Sequence, residues 1–204
     1  MTENKIQINA IVLGDSAVGK SSILKAMSTK EAVKENEVSA TIGGVFVKIM
    51  REYEGKEVEI KVTDTSGEER FRSIAKGFYR KAKFAILVFD ITNRQSFESL
   101  QFWVDEAIEN GQEIKFVLVG NKIDLRTEES ISIEETNAFA QKIGSIACLT
   151  SALTFDGIDD LSDRIVDLFM KKEAQEEKEE KIEKNESLQI TDLAVQQPQS
   201  TGCC

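Results

Sequence analysis

Two uninterrupted apolar runs constrain the fold of this chain more than any other feature of its sequence. Residues 84–89 read Phe-Ala-Ile-Leu-Val-Phe, and residues 116–119 read Phe-Val-Leu-Val. A strand with one solvent-exposed face alternates polar and apolar residues. Unbroken apolar runs are instead typical of strands buried on both faces of a largely parallel sheet. We therefore place both runs at the centre of a sheet covered by helices, which is an α/β fold.

Apolar and amphipathic stretches alternate along the rest of the chain in the same way. Further strands are predicted at residues 6–13, 58–62 and 146–149, and helices at 20–27, at 96–110 and from about Gly157 onwards. The apolar residues expected to pack helix 96–110 on the sheet are Phe97, Leu100, Val104, Ala107 and Ile108.

The composition excludes several classes of function. The 204 residues suffice for one domain and a tail, and 26 Lys and Arg against 36 Asp and Glu give a formal net charge of −10. The overall field of such a protein does not attract nucleic acid. The absence of histidine excludes Ser-His catalysis and His-containing zinc sites. We expect neither a signal peptide nor a membrane-spanning helix.

The character of the sequence changes near residue 170. Residues 171–186 are almost entirely Lys and Glu, and the following stretch is rich in Gln, Ser and Thr and contains the only proline. Such segments bury too little apolar surface to fold. We predict a globular domain over residues 1–170 and a flexible tail over residues 171–204.

A phosphate-binding motif follows the first predicted strand. Residues 14–21 read Gly-Asp-Ser-Ala-Val-Gly-Lys-Ser, which is G-x-x-x-x-G-K-S ahead of a predicted helix. Backbone N–H groups can converge on phosphate there, Lys20 can neutralise β and γ oxygens, and Ser21 can offer its hydroxyl to Mg²⁺. The alternative, a glycine turn beside a surface lysine, rarely produces this spacing. The residues expected to contact the phosphates are Asp15, Ser16, Ala17, Val18, Gly19, Lys20, Ser21 and Ser22.

A second motif indicates which base is bound. Asn121, Lys122 and Asp124 follow the strand at 116–119, at the strand end where ligands bind in open α/β sheets. Asp124 can accept hydrogen bonds from N1 and N2 of guanine, whereas adenine lacks that pair of donors and would leave the carboxylate unpaired. Alone, N-K-x-D is also compatible with a plain turn. Behind a phosphate-binding loop it predicts a guanine nucleotide.

Residues 64–74 read Asp-Thr-Ser-Gly-Glu-Glu-Arg-Phe-Arg-Ser-Ile, which is similar to the switch II signature D-T-A-G-Q-E-R-F of Rab proteins. Phe-Tyr-Arg at 78–80, Phe-Asp-Ile-Thr at 89–92 and the two cysteines at 203–204 also fit. The chain thus resembles the Rab family of Ras-superfamily small GTPases from Lys5 to Phe169. The resemblance implies a P-loop NTPase fold with a six-stranded, mostly parallel sheet, and a switch that binds GTP or GDP with Mg²⁺.

The resemblance also implies roles for individual residues. Mg²⁺ would be held by Ser21, by Thr41 and, through water, by Asp64, while the Gly67 N–H meets the γ-phosphate. Thr150-Ser151-Ala152 resembles the last guanine-contacting loop, so Ser151, Ala152 and Leu153 would lie beside the base. Catalysis would fall to Lys20, Thr41 and Glu68.

Several positions depart from the family pattern. Glu68 stands where these GTPases place the glutamine that orients the attacking water, so we expect slow intrinsic hydrolysis. The segment from Lys20 to Thr41 is about two residues longer than usual and has no aromatic residue over 28–38, so we expect nucleotide to dissociate faster than in typical family members. Leu153 replaces the usual lysine. Two alternatives are a hydrolysis-deficient, GTP-loaded membrane tether of the same fold and a small-molecule P-loop kinase, for whose lid the chain has no room.

The remaining expectations concern partners and location. The resemblance implies an exchange factor, a GTPase-activating protein, effectors that contact Phe46 and Phe78, and an escort for the lipidated tail. Lipid on Cys203 and Cys204 would hold the protein on the cytoplasmic face of an intracellular membrane, from which it cycles through the cytosol. Cys148, in an apolar run, is predicted to be a buried small hydrophobe.

Overall fold

The computed structural model describes residues 6–34, 45–64 and 77–171. The strands within these ranges are β1 (Ile6–Leu13), β2 (Val45–Tyr53), β3 (Lys56–Asp64), β4 (Phe84–Asp90), β5 (Lys115–Asn121) and β6 (Ile146–Leu149). The helices are α1 (Lys20–Thr29), α2 (Arg94–Glu98), α3 (Leu100–Asn110), α4 (Ile133–Lys142) and α5, which begins at residue 158.

All six strands belong to one sheet in the order β2-β3-β1-β4-β5-β6. β2 and β3 form an antiparallel hairpin, and every other neighbouring pair is parallel. The carboxyl ends of β1, β3, β4 and β5 therefore meet at one edge of the sheet. The predicted fold class, a six-stranded and mostly parallel sheet with helices, is confirmed.

The central strands are buried on both faces, as their apolar runs predicted. Every residue of β4 is buried, and so is every residue of β5 after Lys115. On one face, Phe89 contacts Phe97 with ring centroids 5.0 Å apart, and Phe97 contacts Phe139 of α4 at 5.7 Å. Leu100 and other residues of α3 pack into this same apolar cluster.

The predicted helix over residues 96–110 is two helices that meet at Ser99. Asn93 caps α2 by accepting hydrogen bonds from the backbone N–H groups of Gln95 and Ser96, so this helix begins earlier than the apolar pattern indicated. The packed face of α3 follows Leu100, Val104 and Ala107. Ile108 is 63% exposed, so its assignment to the packed face is wrong.

β2 is the strand that the apolar pattern did not predict. It forms an edge of the sheet and pairs only with β3, so polar residues such as Lys48 and Glu52 are tolerated along it. Among its side chains, Ile49 is fully buried while Phe46 is 51% exposed. The sequence of β2 contains several apolar residues, but they neither alternate strictly with polar ones nor form one unbroken run, so neither strand pattern identified it.

The chain separates into two compact units, Met1–Val166 and Asp167–Cys204. Only residues 167–171 of the second unit are described, so the proposed division into a domain over 1–170 and a tail over 171–204 stays a prediction. Among the described residues, no helix is both long enough and apolar enough to cross a bilayer.

Candidate nucleotide-binding site

The loop between β1 and α1 depends on two glycines. Gly14 has φ +140° and Gly19 has φ +99°, values that disfavour residues with a side chain. A Cβ atom would lie 2.1 Å from the Val88 carbonyl oxygen at the first position and 2.2 Å from Asn121 Nδ2 at the second. The loop therefore runs directly against the carboxyl ends of β4 and β5, which fixes where its N–H groups converge.

Lys20, the first residue of α1, is buried within this loop. Its Nζ donates to the carbonyl oxygens of Gly14 at 2.8 Å and Asp15 at 2.6 Å. Burial lowers the pKa of Lys20 to about 8, although the charges of Asp64 and Asp15 act in the opposite direction. The ammonium group thus lies at the helix N-terminus, where phosphate oxygens are favoured by both the charge and the helix dipole.

Ser21 and Asp64 bring two oxygen donors together beside Lys20. Ser21 Oγ donates to Asp64 Oδ2 at 2.5 Å, which joins the start of α1 to the end of β3. Mg²⁺ prefers hard oxygen ligands and is usually bound by one or two protein groups together with phosphate oxygens and water. A hydroxyl and a carboxylate at the phosphate-binding loop fit that donor set, and Ser21 and Asp64 are the described residues that would hold the ion.

The residues of the second motif are joined to the first. Asn121 Nδ2 donates to the Val18 carbonyl oxygen at 2.8 Å, and Thr150 Oγ1 donates to Asn121 Oδ1 at 3.3 Å. The Thr150 N–H in turn bonds the Gly120 carbonyl at 2.8 Å. Through Asn121 the structure brings the phosphate loop, the end of β5 and the loop after β6 into one site.

The positions expected beside the base differ in exposure. Asp124 is exposed in a short 3-10 helix, Ile123–Leu125, whereas Ser151 and Ala152 are buried and Leu153 is half-buried. The Val33 N–H donates to the Ala152 carbonyl oxygen at 2.9 Å, and Val33 itself is buried. The segment that follows α1 is therefore attached to the loop after β6 by a backbone hydrogen bond.

Asp90 belongs to the site although the sequence analysis missed it. It ends β4, and its Oδ2 forms an ion pair with Lys122 Nζ at 2.6 Å. Its Oδ1 accepts from the Thr92 N–H at 2.9 Å and from Thr92 Oγ1 at 2.7 Å. Burial opposes ionisation, but the bonds from Lys122 and Thr92 prevail and lower the pKa of Asp90. An Asp-x-Thr turn after an apolar strand was the available signal.

The aromatic residues expected to contact effectors form a small cluster at the edge of the sheet. The rings of Phe46 and Phe78 meet edge to face at 5.5 Å, and Lys61 Nζ lies 4.7 Å from the Phe46 ring centroid. They line part of a cavity of about 90 Å³ bounded by β1, β2, β3 and the segment before β4.

The other predicted site residues lie outside the part of the chain that the structure describes. These are Thr41, Gly67, Glu68, Cys203 and Cys204.

A strand, a glycine-bounded loop and a helix that begins with Lys-Ser, at the end of a mostly parallel sheet, define a P-loop nucleotide-binding protein. The chain matches the profile of the Ras family over residues 9–171. It is 43% identical over 144 residues to Ras-related protein RABA5e of Arabidopsis thaliana, a stretch that covers 70% of this chain and 65% of that relative. It is 36% identical over 163 residues to Ras-related protein Rab-2B of Dictyostelium discoideum, covering 79% of this chain and 80% of that protein. The chain belongs to the Ras family and, within it, to the Rab small GTPases.

Proposed function

We propose that this protein is a molecular switch that binds GTP and GDP with Mg²⁺, hydrolyses GTP slowly and regulates vesicle traffic. One observation carries most of the proposal: Asn121 ties the predicted guanine motif to the phosphate loop through the carbonyl oxygen of Val18, 2.8 Å away. A loop for phosphate and a motif for guanine are useful together only to a ligand that carries both groups.

Selectivity for guanine is the first property to test. A ligand that binds only the folded state raises its stability by about 2.7 kcal/mol at one hundred times its dissociation constant. We expect GDP with Mg²⁺ to raise the unfolding temperature of the native protein and ADP with Mg²⁺ to leave it unchanged. Asp124→Asn should lose the GDP response, while Asp105→Asn, an exposed aspartate on α3, should keep it. An equal response to ADP would contradict the proposal.

The rate of hydrolysis is the second property. Glutamine can both donate and accept hydrogen bonds, whereas an ionised glutamate only accepts and also repels the γ-phosphate. Loss of one positioning group commonly costs about 10²–10³ in rate. Phosphate release in a single turnover should be slow in the native protein and faster in Glu68→Gln, with Glu69→Gln as the neighbouring control. Release that is no faster in Glu68→Gln would contradict the role given to Glu68.

The same experiment separates the switch from the GTP-loaded tether. Slow but measurable release of phosphate would indicate a switch whose intrinsic GTP hydrolysis is slow. Retention of GTP with no detectable release of phosphate would favour the tether. This alternative is considered because Glu68 replaces the glutamine that orients the attacking water.

The expected partners of such a switch follow from its being a Rab GTPase and from the exposed aromatic surface at Phe46 and Phe78. An exchange factor would load GTP, a GTPase-activating protein would supply the groups that Glu68 lacks, and an escort protein would shield the lipidated tail. Effectors would contact Phe46 and Phe78. In support of this assignment, Phe46 is 51% exposed and lies beside the ammonium group of Lys61, so the surface offers an aromatic ring and a charge together.

The location follows from the lipid anchor. Lipid on Cys203 and Cys204 would place the protein on the cytoplasmic face of an intracellular membrane, where a switch can recruit partners to vesicles. Two prenyl chains provide the two signals that stable anchoring needs.

A further inference from the structure

Trp103 contacts the phosphate loop through a single hydrogen bond. Its indole Nε1–H donates to Oδ1 of Asp15 at 2.8 Å, across 88 residues of chain. Trp103 is the only tryptophan in the protein. None of the roles assigned so far uses this contact, although Asp15 belongs to the loop that is expected to hold the phosphates.

A carboxylate in this position has an electrostatic consequence. The backbone carbonyl of Asp15 already accepts from Lys20 Nζ at 2.6 Å, and the negative charge of Asp15 attracts the same ammonium group. If its side chain could turn, it would compete with the nucleotide for Lys20 or repel the phosphates directly. An indole N–H is a neutral donor that cannot accept, so it can hold the carboxylate without adding a second charge.

The position of the indole is set by the packing of α3. Leu100, Val104 and Ala107 dock this helix on the apolar cluster, and Trp103 packs against the same cluster. The ring of Phe102 meets the indole at 5.3 Å with an interplanar angle of 74°. Asp15 is therefore bonded to an anchored side chain.

We propose that Trp103 is a positioning residue of the nucleotide site. Its N–H holds the Asp15 carboxylate aside, so that Lys20 faces the phosphates and the bound nucleotide dissociates slowly. This inference rests on the proposed function, because it concerns the retention of a guanine nucleotide. It goes beyond the proposed function by assigning a role in nucleotide retention to the hydrogen bond between α3 and the phosphate loop.

The test measures the dissociation of fluorescent GDP from the full chain with Mg²⁺. Trp103→Phe keeps a ring but removes the N–H, and we expect dissociation about tenfold faster, as for other hydrogen bonds to charged groups. Ile108→Ala is the matched control, since it truncates a side chain on the same helix that is 63% exposed and leaves Trp103 and its ring contacts in place. We expect its rate to stay within about twofold of native.

A second background distinguishes positioning from a general loosening of the structure. Asp15→Asn removes the charge but keeps an oxygen that can accept from the indole. In this background Trp103→Phe should change the dissociation rate less than about twofold, because no charge remains to be released. Equal acceleration in both backgrounds, or none in either, would overturn the inference.

Two further measurements keep the test interpretable. Replacing the indole of Trp103 by benzothiophene removes the N–H with almost no change of shape, and it should reproduce the acceleration even if Trp103→Phe folds poorly. A native rate for that analogue would overturn the inference. The native protein is measured first, because failure to retain GDP at all would contradict the proposed function rather than the role of Trp103.

Discussion

At the scale of single residues, the ion pair between Asp90 and Lys122 shows how a carboxylate can orient a lysine that is predicted to bind nucleotide. Lys122 has a left-handed backbone conformation, φ +66°, and its ammonium group lies 2.6 Å from Asp90 Oδ2. Because the pKa of Asp90 is lowered, the carboxylate stays ionised at neutral pH, and its contribution to stability is lost only in acid, as the pH falls through its folded pKa.

We expect Asp90→Asn to release nucleotide faster. The amide still accepts from Thr92 but no longer carries the charge that fixes Lys122, and loss of a charged hydrogen bond corresponds to about tenfold in an equilibrium constant. Dissociation of fluorescent GDP measures the change, with Asp105→Asn as the control on the exposed face of α3. A native rate in Asp90→Asn would show that Lys122 keeps its position without Asp90.

Cys148 is predicted to be unreactive. Burial raises the pKa of its thiol to about 11, so at pH 9 only about 1% is thiolate, against half of an ordinary cysteine. In a Cys203→Ser/Cys204→Ser variant, a thiol-specific reagent should therefore label the folded protein slowly and the urea-unfolded protein rapidly. The raised pKa also means that this residue stabilises the fold fully below about pH 9 and progressively less up to about pH 11. Rapid labelling of the folded variant would contradict the assignment.

The sequence motifs predicted Lys122 as a site residue but did not predict its partner Asp90. Gly19, Lys20 and Ser21 lie within one strand-loop-helix unit, so their spacing alone was enough to predict them as phosphate-binding residues. Asp90 and Lys122 are neighbours only because β4 and β5 align Asp90 with Asn121 in the sheet. Register of this kind depends on the packing of the whole sheet, which no short motif contains.

At the scale of secondary structure, Arg51 connects β2 to α5. Its Nη2 donates to Ser162 Oγ at 2.8 Å and to Asp159 Oδ1 at 3.1 Å, and its Nε lies 3.6 Å from Asp163 Oδ1. The Arg51 side chain is only 7% exposed. A charged group this well enclosed stabilises the structure more than a surface ion pair does.

Arg51→Met should therefore lower the free energy of unfolding by about 1–2 kcal/mol, because the aliphatic volume is kept while several charged hydrogen bonds are lost. Urea denaturation at a fixed GDP concentration measures the change. Arg164→Met is the matched control: its exposed pair with Asp160, 2.6 Å long, joins residues four apart on α5 and should be worth no more than about 0.5 kcal/mol. Equal losses in the two variants would mean that Arg51 contributes only as a surface charge.

The helices and strands could be predicted where burial of one or both faces leaves a regular pattern of apolar residues in the sequence. β1 and β6 have the bounds that their apolar runs indicated, 6–13 and 146–149, and β4 extends one residue past its run to Asp90. β2 was not predicted because its apolar residues neither alternate strictly with polar ones nor form an unbroken run. The break at Ser99 also escaped, because apolar spacing does not report the hydrogen bond from Ser99 Oγ to the Gln95 carbonyl oxygen, 2.9 Å long.

At the scale of the whole molecule, the negative charge of the protein opposes direct binding to an anionic membrane. A chain with net charge −10 is repelled by an anionic leaflet. We expect the unmodified protein not to sediment with vesicles of phosphatidylcholine and phosphatidylserine, and the doubly geranylgeranylated protein to do so. The Cys203→Ser/Cys204→Ser variant, treated with the same transferase, serves as the control. Sedimentation of the unmodified protein would indicate a second membrane contact.

The hairpin between β2 and β3 offers an attachment point for engineering. Its turn at Glu54 and Gly55 has φ +48° and +75°, and the space around Gly55 is open. β3 ends at Asp64, so the turn lies at the opposite end of the strand, roughly 25 Å from the nucleotide site. A fluorophore or an affinity tag inserted there would report on the protein in a living cell without blocking the candidate nucleotide site.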